Sequence, residues 1–322
     1  MIKAGVIGGA GYTAGELLRI LVNHPGVEIA RVHSSSQAGK RISDIHNDLV
    51  GDLDLAFTGE VDFEGLDVLF LCSGHGDSKA FLEGHAVPEG MKIIDLSTDF
   101  RKEDGTHRFV YGLPELQREK IRQADRVANP GCFATCIQLG LLPLAHAGLI
   151  KDEVHINAIT GSTGAGVKPS AFTHFSWRNS NISVYKAFNH QHLAEIGQSL
   201  AQLQSGFDQP LNFVPVRGDF TRGIFASVYT RYEGTLEEAT AMYGAYYQDH
   251  PFTHTTGSNP ELKQVVNTNK CLVHLEKHGD KLFIISIIDN LLKGASGQAV
   301  QNLNLMFGLE EKEGLGLKGT AF

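Results

Sequence analysis

Residues 129–135 read NPGCFAT and stand directly ahead of an apolar run, Ile137 to Leu144. That order puts the thiol of Cys132 at the mouth of a helix, with Gly131 leaving room beside it. A helix N-terminus favours the thiolate. A thiolate can displace a leaving group from a carboxyl-level carbon and hold that carbon as a thioester, which a nicotinamide can then reduce. Most cysteines are small buried hydrophobes instead, so the reading depends on partners elsewhere in the chain. The segment NHQHLAEIGQ, Asn189 to Gln198, offers them. His190 and His192 point the same way if the chain is extended there, and His192 then opens a helix that carries Glu195 one turn later. A histidine near Cys132 could take the thiol proton and later protonate the oxygen as an aldehyde forms. His-x-His also suits zinc, but no third and fourth ligand stands at a recognisable spacing, so no metal is expected.

Two further stretches could hold a ligand. DLSTDFRKEDG places Arg101 just past a strand ending near Ser97, at the sheet edge where ligands of such folds bind. Its guanidinium matches carboxylate or phosphate geometry, and a surface ion pair with Asp99 or Glu103 is the plainer alternative. TGSTGAGVKP, Thr160 to Pro169, is a glycine-rich loop after a strand, able to approach a ligand or merely to connect. Near the N-terminus, GGAGYTAG spans Gly8 to Gly15, and Gly9, Gly11 and Ala14 fit G-x-G-x-x-G/A between a strand and a helix. That context lets a pyrophosphate approach the amides at the helix start. At the end of the next strand, His33 to Arg41 reads HSSSQAGKR, without an acid to take ribose hydroxyls. Ser34, Ser36, Lys40 and Arg41 could instead hold a 2′-phosphate, which favours NADP(H) over NAD(H).

The elements that must position these groups fall into two textures. The first hundred residues alternate strands and helices: Ile2 to Gly8, Glu28 to Ser35, Asp67 to Ser73 and Lys92 to Ser97 read as strands, with Ala14 to His24 as a helix. Such alternation predicts a parallel sheet with crossover helices. Beyond residue 150, long strands joined by Gly-rich or polar turns predict a largely antiparallel sheet, with helices near Leu193 to Leu203 and Leu236 to Gln248. Helical spacing returns from Lys293 through Phe307. The chain has 322 residues, and that length suggests two domains. A net charge of −8 counts against a nucleic-acid partner. No apolar stretch approaches a membrane span, and the N-terminus enters a strand without the pattern of a secretory signal. The four cysteines (Cys72, Cys132, Cys136 and Cys271) form no C-x-x-C pair, so a reduced, cytoplasmic setting is expected.

The blocks VANPGCFATCIQLGLLP, GAGYTAGEL, LSTDFR followed by YGLPEL, NHQHLAEIGQ and NLLKGASGQAVQNLNLMFG together resemble the N-acetyl-gamma-glutamyl-phosphate reductases, the arginine-pathway branch of the semialdehyde dehydrogenase family. Gln191 stands between the histidines where that branch often has Arg. The resemblance implies a Rossmann-type NADP-binding domain over residues 1–131 and 289–322. It implies an α+β substrate domain of the glyceraldehyde-phosphate-dehydrogenase kind over 132–288, and a homo-oligomer, dimer or tetramer, acting on a small molecule. Cys132 would be the nucleophile and His192 the general acid/base. His190, Glu195 and Arg101 would orient the histidine or bind substrate anions. Tyr12 and Thr13 would join Gly9, Gly11 and Ala14 at the cofactor turn, while Thr163, Gly164, Asn290, Lys293 and Gly294 would lie near cofactor or transferred phosphate. The activity implied is NADPH-dependent reduction of an N-acyl-γ-glutamyl phosphate. Rival readings are the same chemistry on an aspartate or aminoadipate chain, and a non-catalytic NADP(H)-binding regulator that would need the glycine turn but not Cys132, His192 and Glu195 together. The acid-free stretch after the second strand carries its own test: in a binding titration NADPH should be held at least about tenfold more tightly than NADH, the worth of one charge-assisted contact, and equal affinities would refute the 2′-phosphate reading.

Overall fold

A computed structural model describes residues 1–74 and 76–320. The chain divides into two compact units, the first made of Met1–Pro130 with Ala295–Gly316, the second of Gly131–Gly294 with the chain from Leu317 on. In the first unit the elements are β1 (Ile2–Ile7), α1 (Tyr12–Leu21), β2 (Val27–His33), β3 (Val68–Leu71), α2 (Asp77–Gly84), β4 (Lys92–Asp95), β5 (Val110–Tyr111), α3 (Pro114–Arg122) and β6 (Arg126–Ala128). The six strands form one sheet in the order β2-β1-β3-β4-β6-β5, and every pairing is parallel. Strands buried on both faces have no polar side to display, which is why β3 is an unbroken apolar run, VLFL. The chain leaves β1 for β2 on one side and comes back to β3 on the other, so the order reverses between β1 and β3. Ligands of doubly wound sheets bind at that reversal, beyond the carboxyl ends of the strands.

The second unit opens with α4 (Cys132–His146), followed by β7 (Val154–Thr160), α5 (Phe175–Arg178), β8 (Ser183–Val184), α6 (His192–Leu203), β9 (Leu211–Arg217), β10 (Ile224–Arg231), α7 (Leu236–Tyr247), β11 (Thr253–Thr256), β12 (Cys271–His278) and β13 (Lys281–Ile288). A π-helical turn, Leu292–Ser296, leads into α8 (Gly297–Met306), which belongs to the first unit and packs there on α1 and α3. The strands of the second unit form a seven-stranded sheet, β11-β12-β13-β10-β7-β9-β8. The largely antiparallel sheet expected from the sequence is mixed, because β7 runs parallel to β9 and β11 parallel to β12. The antiparallel course of β8 along β9 accounts for the first of these: it returns the chain toward the starting edge of β7, so β9 starts from that same edge. The stretch from Leu211 to Tyr232 is accordingly no hairpin, since β7 lies between β9 and β10.

Helix α4 carries the nucleophile candidate and is buried almost all round, from Phe133 to Ala145, as its uniform apolarity requires. It packs on β10, β12 and β13 and against α6 and α7. Pro143 sits inside it and has no N–H to give to the carbonyl four residues back. That carbonyl, Leu139 O, accepts instead from the hydroxyl of Tyr247 at 2.6 Å, and Gly140 O accepts from Tyr243 at the same distance. Both tyrosines come from α7 and are buried, so the interruption in the helix ladder is met by a neighbour's side chains. Cys136 and Cys271 are fully buried beside Ser286, and burial holds the Cys136 thiol well above its ordinary range, in keeping with a packing role. Removing one of the tyrosine hydroxyls strands a buried carbonyl, so Tyr247→Phe should lower unfolding free energy by about 1–3 kcal/mol, read as a lower denaturation midpoint at unchanged m-value.

Candidate active site

Cys132 is the first residue of α4, half-buried, and Gly131 caps that helix with an extended backbone and no side-chain cap. The Gly131 amide is not left open: it donates to Glu195 Oε2 at 2.9 Å. The other oxygen of the same carboxylate, Oε1, lies 3.8 Å from His192 Nε2. Glu195 and His192 stand three residues apart on α6, which begins at His192 and packs along α4. One turn of α6 thus presents both side chains to the start of α4. The His192 amide donates to His190 Nδ1 at 3.3 Å, and the two imidazoles are 4.7 Å apart at 45°. Phe133, next to the thiol in sequence, packs against both rings and against Phe213 of β9.

Burial pushes the His190 pKa down to about 4, and Lys186 and Arg217 add to this against a smaller opposing pull from Glu195. His190 is therefore neutral near pH 7, and its accepting Nδ1 leaves the ring proton on Nε2. Gly294 approaches the nucleophile closely: a Cβ there would stand 2.8 Å from Cys132 Cβ, nearer than side chains tolerate. Cys132, His190, His192, Glu195 and Gly294 are thus gathered in one unit.

Other residues singled out in the sequence have different surroundings. Asn290 is buried and uses its amide internally, accepting from Gly223 N at 2.7 Å and donating to Thr163 Oγ1 at 3.0 Å. The Thr163 hydroxyl in turn donates to Thr221 O at 2.6 Å. Together they lash the glycine loop to the turn before β10, while Gly164 stays exposed. Lys293 is fully buried. Arg101 is 6% exposed and turned onto backbone, with Nε donating to Asn129 O and Nη2 to Leu96 O, each at 2.9 Å. Asp99 caps the start of α2 through the amides of Gly76 and Lys79.

The glycine turn of the first unit has the geometry of a dinucleotide seat. Gly8 has φ +78°, and a Cβ there would stand 2.9 Å from the backbone after β3. A Cβ on Gly9 would meet Val32 Cγ1 at 2.3 Å, whereas Gly11 has nothing nearer than 4.0 Å. The first two glycines therefore let the turn pack, and the third leaves its outer surface bare. Helix α1 follows with no acid in its first turn and no side-chain cap on Gly11, so its leading amides suit a pyrophosphate. Ala14 is fully buried and serves helix packing; Tyr12 is exposed, and the Thr13 carbonyl accepts from Ser296. At the end of β2, Ser34 and Ser36 bring their hydroxyls to 3.4 Å, Lys40 is exposed, and Arg41 is paired with Asp54. These residues fit a dinucleotide with a 2′-phosphate. Among the described residues no group of three or more His, Cys, Asp or Glu could hold a metal ion, and no helix is long and apolar enough to cross a membrane.

Three residues escaped the sequence reading. His46 Nε2 donates to Gly9 O at 2.7 Å and covers Gly15, where a Cβ would stand 2.5 Å from its Nδ1. Tyr185 and Arg217 flank His190, with the Arg217 guanidinium 3.7 Å above the Tyr185 ring. A cation closing a strand, as Arg217 closes β9, was the one signal available for them.

Two stretches of the chain match domains of one family. Residues 3–124 match the semialdehyde dehydrogenase NAD binding domain and residues 132–290 match the semialdehyde dehydrogenase dimerisation domain. The chain belongs to the semialdehyde dehydrogenase family. It is 62% identical to the N-acetyl-gamma-glutamyl-phosphate reductase of Parabacteroides distasonis and 63% identical to that of Bacteroides thetaiotaomicron, each over 322 residues covering all of both chains. The family member described here is thus an oxidoreductase of the N-acetyl-gamma-glutamyl-phosphate reductase branch. Its fold is shared with a probable aspartate-semialdehyde dehydrogenase from Pseudomonas aeruginosa, at TM-score 0.74 and 18% identity over 95% of this chain and 98% of that one. It is shared too with the Candida albicans aspartate semialdehyde dehydrogenase solved with NADP, at TM-score 0.70 and 14% identity over 95% of this chain and 98% of that one.

The His190 environment has a measurable consequence. Its folded pKa is depressed from 6.5 to about 4, so between those values the unfolded chain binds more protons, and stability rises with pH. The His190 contribution is complete above 6.5 and is lost as pH falls to about 4. His190→Asn should flatten the dependence of unfolding free energy on pH in that window; an unchanged slope would contradict the burial described.

Proposed function

We propose that this chain reduces an N-acyl-γ-glutamyl phosphate to the N-acyl-glutamate semialdehyde with release of phosphate, using NADPH, as a step of arginine biosynthesis. The observation that carries this is the Glu195 carboxylate, which joins the amide ahead of Cys132 to the His192 imidazole in a chain matched end to end by relatives bearing that activity in their name.

The roles follow from position. Cys132 at the start of α4 gains from the helix dipole, which favours negative charge on sulfur. Its thiolate attacks the γ-carbonyl; a C–S bond forms, the C–O bond to phosphate breaks, and the acyl group rests on Cys132 as a thioester. His192 takes the thiol proton and passes it to the departing phosphate. When bound, NADPH supplies the hydride that reduces the thioester carbon. His192, reprotonated from solvent, then protonates the oxygen of the thiohemiacetal and takes that proton back as the C–S bond breaks and the aldehyde leaves. Glu195 stabilises the imidazolium form and fixes its orientation, with neutral His190 supporting the backbone behind it. Gly294 keeps the flank of Cys132 clear of a side chain.

Residues Gly9, Gly11, Tyr12 and Thr13 would hold the pyrophosphate portion of the cofactor, and Ser34, Ser36 and Lys40 its 2′-phosphate. The first unit would be the cofactor domain and the second the substrate domain, in a dimer or tetramer working in the cytoplasm. Cys132→Ser tests the core of this reading: turnover should fall below detection while NADPH binding, read by fluorescence, stays at the wild-type level. Retained turnover would remove the nucleophile from the scheme.

A further inference from the structure

The chain between β2 and β3 reaches back to the glycine turn through one side chain. His46 Nε2 donates to Gly9 O at 2.7 Å across 37 residues of sequence. The Gly9 amide is taken by His33 O at 2.9 Å, so both polar groups of Gly9 are held. In a planar trans peptide the carbonyl and the following N–H point in opposite directions. A Gly9 carbonyl turned onto His46 therefore aims the Ala10 N–H away from the ring, and no acceptor among the described residues takes it. That amide is a donor set for a ligand.

His46 is itself fixed. Its amide donates to Ile42 O at 2.9 Å and its carbonyl accepts from Leu49 N at 3.0 Å, and both Ile42 and Leu49 are buried. The ring meets Phe57 edge-on, with centroids 6.3 Å apart. It also lies against α1 at Gly15, where a Cβ would stand 2.5 Å from Nδ1 and 2.8 Å from Cε1. Glycine weakens a helix interior relative to alanine, and here it makes room for the ring. The residues that suit a 2′-phosphate have bonds of their own: Ser34 N donates to Thr58 O at 3.1 Å, Gly39 N to Phe57 O at 2.9 Å and Phe57 N to Lys40 O at 2.9 Å. The stretch carrying Ser34, Ser36 and Lys40 thus keeps its shape without the imidazole. What His46 adds falls on the glycine turn.

We infer that His46 is a positioning residue for the dinucleotide: by holding the Gly9 carbonyl it presents the Ala10 amide to the pyrophosphate. It acts through the backbone of the turn and takes no part in the chemistry at Cys132. This rests on the reading of the first unit as the cofactor domain.

Fluorescence titration of the full-length protein tests it. His46→Phe keeps a ring against Gly15 and loses the donor. Its Kd should rise about 3- to 10-fold, the worth of one hydrogen bond, and by the same factor for NADPH and NADH, since both carry the pyrophosphate. The Kd of adenosine 2′-phosphate, which lacks that group, should stay at the wild-type value when measured by competition, and kcat at saturating NADPH should be unchanged. His46→Gln, which restores an N–H donor, should recover part of the loss. Gly15→Ala puts a methyl where the ring lies; it should weaken NADPH binding in the wild-type background and add nothing in His46→Ala. Unchanged Kd for NADPH in His46→Phe or in Gly15→Ala, or a loss shared by adenosine 2′-phosphate, overturns the inference alone. A wild-type protein that binds neither dinucleotide overturns the cofactor-domain reading and this inference with it.

Discussion

The catalytic unit is organised around one carboxylate doing two things at once. Glu195 accepts the Gly131 amide with one oxygen and faces His192 Nε2 with the other, so the start of α4 and the start of α6 are referred to a common point. A buried carboxylate needs such partners, because leaving it unsolvated and unpaired is costly. Here the partners are the backbone preceding a thiol and an imidazole. The placing of Cys132 and His192 is thereby tied to the solvation of a third side chain, and the long apolar helix behind Cys132 gives the arrangement a rigid base.

Around that point the remaining side chains divide into those that face a ligand and those that hold the frame. Asp289 shows the second kind clearly: it is fully buried and accepts from Arg222, Asn267, Leu291 and Leu292. It thus steadies the chain leading to Gly294 and the turn that Asn290 and Thr163 secure. Within the first unit Asn129 has the same character, with its amide donating to Asp95 O, its carbonyl accepting from Arg101 and its side chain bonded to Ala295 and Asn302. Strongly polar residues near a reactive segment are in both cases occupied with backbone.

That division explains what could be read from the sequence. Periodicity exposed the parallel sheet, α1, α6 and α7 because each has one face or both against a core, and burial leaves a regular apolar trace. The shared side of His192 and Glu195 was legible because short spacing on a helix dictates which side chains meet. Arg101 and Lys293 were recognisable only as cations. Whether a cation meets a ligand or a carbonyl depends on contacts with residues such as Asn129 and Leu96, which sequence order does not reveal. Arg217 and Tyr185 were missed for the converse reason, since the strand end and the short segment that bring them together are adjacent only through the pairing of β8 with β9. The mixed character of the second sheet was hidden likewise, since strand direction there follows from the return of the chain through β8.

The return of α8 to the first unit imposes an order in time. That unit's sheet is complete by Ala128, but the helix that packs on α1 and α3 is drawn from residues 297–306. On the ribosome, β1 to β6 and α1 to α3 must wait for residues 297–306 before the flank of α1 and α3 is covered. The sheet of the inserted unit, whose strands all lie between Val154 and Ile288, is made before α8. The nucleotide-type unit thus gains its last helix after the second sheet is made, and in the interval the exposed flank of α1 and α3 is what a chaperone would meet.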